Sequence, residues 1–212
     1  MNANKLTATM LLLSSTWSLP VAGQPSGDRV AAVKTNDGYI VVWNQPGIHF
    51  TLELKGKNVS PINSAPAGTI AFNIDGVVLQ VQSAAISDFA KNAKKQKLSD
   101  QAILEAHRDW ESQYQQQAVG TKLNVSSSPQ QLSSGSQALL WKFDMPKPKS
   151  GEQMYLTTVS GSQVIILNAF VPRKPAESGV QRLLLDTMST VKPSQRPIDL
   201  LKVQQSVRGN SL

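Results

Sequence analysis

His49 and His107 are the only two histidines in this 212-residue chain, and there is no cysteine. The lack of cysteine removes thiolate nucleophiles, disulfides, cysteine zinc sites, iron–sulfur clusters and lipid attachment at a cysteine. His107 and Glu111 stand at i and i+4, on one face of a helix, which is the seed of a two-ligand metal site. Neither His-Glu-x-x-His spacing nor a third donor accompanies them. The expectation is therefore a His107 packed inward beside Trp110, its polar edge hydrogen-bonded, with no metal and no cofactor.

Other catalytic constellations lack their parts. A serine hydrolase needs a nucleophile on a sharp turn and a histidine base, and no Gly-x-Ser-x-Gly occurs. Gly135-Ser136 and Gly161-Ser162 read as ordinary turns. A glycosidase needs two carboxylates across one cleft. Glu53, Asp75, Asp88, Glu105, Asp109, Asp144, Glu152, Glu177 and Asp186 are scattered, and spacing pairs none of them. No glycine-rich phosphate loop is present. Trp43, Trp110 and Trp141 could line a ligand groove, but each buries a large apolar area and is expected in the core.

Lysines supply the one candidate site. Lys91, Lys94, Lys95 and Lys97 place four positive charges within seven residues. Ile86, Phe89 and Ala93 fall on the opposite face and should anchor the segment, leaving the lysines in solvent. Such a stripe is either a solvated face or an attraction for an acidic partner: lipid headgroups, an acidic polymer of the envelope, or a carboxylate-rich protein surface. Nucleic acid is not expected, since no aromatic-interleaved basic motif accompanies the lysines.

The elements that must position these residues follow from periodicity. Arg29 to Lys34 and Tyr39 to Trp43 flank Asp37-Gly38, a hairpin signal, and Thr69 to Ile74 and Val77 to Val81 flank Asp75-Gly76 in the same way. Ile48 to Leu54 alternates as a half-buried strand. Lys55 to Gly68 reads as a loop. Residues 87–117 are helical, with Ser99 as a cap. Leu139 to Met145, Met154 to Val159 and Val164 to Val171 return to strands, the last apolar on both faces and hence central. Val180, Leu183, Leu184, Thr187, Met188 and Val191 recur at helical spacing. The order strands, helices, strands, helix argues for a single α+β domain with a mostly antiparallel central sheet flanked by helices.

The ends read differently. Lys5 precedes the apolar run Leu6 to Leu13, then Pro20 and small residues Val21-Ala22-Gly23. This is the pattern of a cleaved signal peptide over 1–23, giving a periplasmic or secreted protein. The apolar run is too short to span a bilayer. The domain is then expected over 24–193, with 194–212 as a flexible polar tail.

The segments QALLWKFDMP, EQMYLTTVSGSQVIILNAFVP and GVQRLLLDTMSTVKP, in that order, resemble the Mog1/PsbP-like superfamily over roughly 48–193. The resemblance implies an α/β/α sandwich with a late hairpin feeding a C-terminal helix. It also implies an accessory or binding protein rather than an enzyme, and it assigns no functional residue. The expected function is thus an exported, non-catalytic accessory or binding protein, with a partner protein or an acidic envelope component as ligand and at most peripheral membrane contact. The alternatives are a hydrolase of an envelope or extracellular polymer and a structural subunit of a surface assembly.

Overall fold

The computed structural model describes residues 29–65, 68–146, 151–171 and 177–209. The expected signal peptide, 1–23, lies outside them. Strands β1 (Arg29–Lys34), β2 (Gly38–Gln45) and β3 (Ile48–Lys55) form an antiparallel meander. The Asp37-Gly38 turn was legible in the sequence. Its glycine is obligatory for another reason: a Cβ on Gly38 would run into the carbonyl oxygen of Leu54. Trp43 and Phe50 are register partners in β2 and β3, and their rings stack 5.5 Å apart.

The segment read as a loop contains a short strand, β4 (Val59–Ile62), which pairs with β5 (Ile70–Ile74). β5 turns into β6 (Val77–Ala85) through Asp75 and Gly76, with φ of 50° and 92°. Two successive positive φ values make the turn whose twist matches the flanking strands, which is why Asp-Gly stands there. The Asp75 carboxylate also accepts from the backbone N–H groups of Lys57 and Asn58, fixing the approach to β4.

The helical region is three pieces: α1 (Ile86–Phe89), α2 (Ala93–Gln96) and α3 (Asp100–Val119). Ser99 caps α3, accepting from the Ala102 N–H. Then come β7 (Val125–Gln131), β8 (Gln137–Met145), β9 (Gly151–Ser160) and β10 (Gln163–Val171). The chain continues into α4 (Glu177–Ser189), β11 (Lys192–Ser194) and α5 (Leu200–Gly209).

Two antiparallel sheets result, ordered β1-β2-β3-β11 and β4-β5-β6-β10-β9-β8-β7. The α+β class with antiparallel pairing is as expected. β10 lies between β6 and β9 and is buried on both faces, again as expected. The division of the strands between two sheets is an addition.

Alternation along the strands sends side chains to two cores. Leu139, Trp141, Phe143, Tyr155, Val164 and Ile166 face α1–α3. Leu140, Met154, Leu156, Ile165 and Leu167 face the other way, toward α4 and the inner face of the smaller sheet. Helix α4 is wedged between the sheets, touching β3, β9 and β10, with Val180, Leu184 and Met188 buried. Each such side chain contributes about 1.5–3 kcal/mol by leaving water.

Within 194–212, expected as a flexible polar tail, the described residues include the helix α5. α5 packs beside β1. The reason is a pair of polar clamps between distant residues. The Asn44 side chain donates to the Ile198 carbonyl and accepts from the Ile198 N–H, both at 2.8 Å.

Candidate interaction site

Lys91, Lys94, Lys95 and Lys97 all lie exposed in the short α1–α2 segment. They do not share one continuous helix, as the sequence pattern had suggested. Lys91 lies in the turn after α1, Lys94 and Lys95 in α2, and Lys97 caps α2 in the left-handed region at φ 51°. Helix α1 ends early because Ala90 leaves helical geometry, its N–H closing on the Ile86 carbonyl. The anchor works as expected: Ala93 is buried, and Ile86, Phe89 and Ala90 pack against the helix-side core. None of the four ammonium groups is held in an ion pair among the described residues. Two acids flank them in sequence, Asp88 and Asp100; four lysines against two aspartates leave a net charge of +2.

Next to this segment lies a nest of rings. Phe89 meets His107 edge-on with centroids 5.2 Å apart, and Trp110 stands 6.0 Å from both. His107 is fully buried, but neither ring nitrogen has a hydrogen-bond partner, which corrects the expectation of a bonded polar edge. Burial lowers its pKa to about 4, so the ring is neutral at physiological pH. Burial likewise pushes the Tyr155 hydroxyl up, with Glu111 adding to the effect.

Trp110 corrects a second expectation. Trp43 and Trp141 are buried, but Trp110 is 41% exposed and Tyr114, one turn on, is 62% exposed. The inward arc of α3 is centred on Leu104 and His107, not on the line from Ile103 through Trp110 to Tyr114. An aromatic flank therefore lies open on the side of α3 that meets Phe89. Nothing but charge run and helical spacing was available in the sequence, and spacing alone leaves the rotation of a helix undetermined.

The other chemistry-bearing residues are dispersed. Among the described residues no group of three or more His, Asp or Glu side chains could hold a metal ion. His49 lines an open cleft of about 540 Å³ with Ser160 and Ser194, where the β2–β3 turn meets β11 and the β9–β10 turn. Its Nδ1 is buried without a partner. Among the described residues no carboxylate lines this cleft to orient the ring, as a Ser–His nucleophilic pair requires. A second cleft of about 420 Å³, between the β1–β2 and β3–β4 turns, is lined by Lys34, Asp37 and Lys57. Among the described residues no helix is long and apolar enough to cross a membrane.

No protein-family model and no curated protein matches the chain. Among solved structures it is similar to cyanobacterial PsbP (CyanoP) from Synechocystis sp. PCC 6803. That similarity has a TM-score of 0.44 and 11% identity, over 84% of this chain and 98% of that one. It is also similar to a protein from Bacteroides thetaiotaomicron VPI-5482, with a TM-score of 0.33 and 12% identity, over 76% of this chain and 55% of that one. The chain thus spans about half the length of the second protein. The first neighbour is a PsbP, the family named from the residue pattern. At these levels neither likeness carries an activity, and the fold rests on the strand order and packing described above.

Proposed function

We propose that this chain is an exported, non-catalytic accessory protein that docks on an acidic component of the cell envelope through Lys91, Lys94, Lys95 and Lys97. One observation carries the reading. Four exposed ammonium groups, in no ion pair among the described residues, are clustered on a segment whose apolar side is anchored in the core. Exposed lysines that spend no charge on their own fold are available to a partner, and long-range attraction to an acidic surface speeds encounter. Support for export comes from the basic, apolar and small-residue pattern of residues 1–23. Retention of the protein on immobilised polyglutamate, followed across a salt series, tests the docking reading. Binding should be present at low salt and weaken steeply as the screening length shrinks toward about 8 Å at physiological ionic strength.

A further inference from the structure

We infer that the acidic partner is an anionic lipid bilayer surface, which the protein meets with Lys91, Lys94, Lys95 and Lys97 on the headgroups and Trp110 and Tyr114 in the interface. This rests on the reading of the lysine cluster as a docking site and names the class of its partner.

The argument begins with what the lysines alone leave unexplained. A soluble acidic polymer or a carboxylate-rich protein needs only the cations. Beside the cations, however, α3 exposes an indole and a phenol on successive turns. Such rings pair an apolar body with a polar edge and prefer the headgroup level of a membrane. Trp110 is joined to the lysine-bearing segment by its contact with Phe89, 6.0 Å between centroids. Lys91 follows two residues later.

The charges of α3 are arranged to suit. At about 100° per residue, Gln113 and Gln117 share the flank of Trp110 and Tyr114, while Glu105, Asp109 and Glu111 point about 140°, 100° and 100° away from Trp110, and Glu111 accepts from the Gln115 amide at 2.7 Å. Asp109 is further neutralised by Arg108 at 2.7 Å. The flank of Trp110, Gln113, Tyr114 and Gln117 itself carries no charge; Asp109 and Glu111 stand at its two edges, and the lysine-bearing segment is joined to it through Phe89. Each lysine brought to an anionic leaflet strengthens binding roughly fivefold, and the lysine stems can lie along the interface while the ammonium groups stay at the headgroups. The rings then add apolar contact that a screened charge cluster lacks.

The test uses the protein as purified from its host. It is mixed with vesicles of equal parts phosphatidylglycerol and phosphatidylcholine, with pure phosphatidylcholine vesicles, and with soluble polyglutamate. In the chain that begins at Gln24, which lacks Trp17, Trp110 reports directly, because Trp43 and Trp141 are buried. Emission should shift to the blue on the anionic vesicles and stay unshifted with polyglutamate, and Trp110→Phe should abolish the shift. Tyr114→Ala, at a site with little to lose in folding, should reduce partitioning roughly tenfold. Exchange of Lys91, Lys94 and Lys95 for Gln should reduce it roughly a hundredfold. Binding to polyglutamate without binding to vesicles would overturn the membrane inference and leave the docking reading standing. Vesicle binding with unshifted emission and no effect of Tyr114→Ala would do the same. Binding to neither probe would overturn both.

Discussion

Asn44 and Ile198, 154 positions apart, exchange two hydrogen bonds of 2.8 Å. One short side chain near the end of β2 thereby mimics a strand partner for the backbone just before α5. The helix that follows is amphipathic but buries no residue fully, so its own packing holds it only loosely. Asn44→Ala should cost about 1–3 kcal/mol, the penalty for leaving two partly buried backbone groups unpaired. Hydrogen exchange should show the loss concentrated in 198–209 while β8 to β10 keep their protection. Uniform protection across α5 in the variant would mean that the clamp does not hold the helix.

Leu184 is fully buried between the two sheets. Leu184→Asp would place an unpaired charge there and should cost several kcal/mol, enough to unfold a domain of ordinary stability. Thermal melts of this variant and of Leu183→Asp, at a half-buried neighbour, make the comparison. The first should melt far lower than the second. Equal melting would mean that α4 does not seat as a wedge.

His107 makes stability depend on pH. Its pKa is about 4 in the fold against about 6.5 in the unfolded chain, so the unfolded state binds more protons between those values. The contribution is complete above about pH 6.5 and is lost as pH falls toward about 4, amounting to roughly 3 kcal/mol. His107→Leu should flatten denaturant-measured stability over that window. It should also raise stability near neutral pH, since two unpaired ring nitrogens leave the core. A variant with the wild-type acid slope would show that another group sets it.

The proposed export would set where the protein can meet its partner. The exported chain should begin at Gln24, read by N-terminal sequencing of the protein recovered outside the cytoplasm. Recovery of a chain beginning at Met1 would remove the envelope from the account.

Much of this fold could be read from residues because local rules govern it. Asp75 and Gly76 can adopt paired positive φ values, so the turn was visible. Val164 to Val171 is apolar on both faces, so its central place was visible. What escaped depends on distant pairings. Nothing in β6 announces that it will lie against β10, some 80 positions later, and nothing near Ile198 announces Asn44. Leu200, Val203 and Val207 have helical spacing, but polar neighbours diluted it. The candidate site divides in the same way. The lysines were legible as charge. The exposure of Trp110 was not, because Ile103 and Leu104 are adjacent and both buried, and the pattern alone could not say which of them sits nearer the centre of the inward arc.

The central claim is that Lys91, Lys94 and Lys95 serve a partner and not the fold. The most direct measurement replaces all three with Gln and compares retention on immobilised polyglutamate with wild type, from low to physiological salt, beside a denaturant melt of each protein. The account predicts stability within about 0.5 kcal/mol of wild type, as for exposed residues without partners. It also predicts that the variant elutes at much lower salt, the gap closing as charges are screened. Equal retention of the two proteins at every salt concentration would contradict it and leave the lysines as solvated surface.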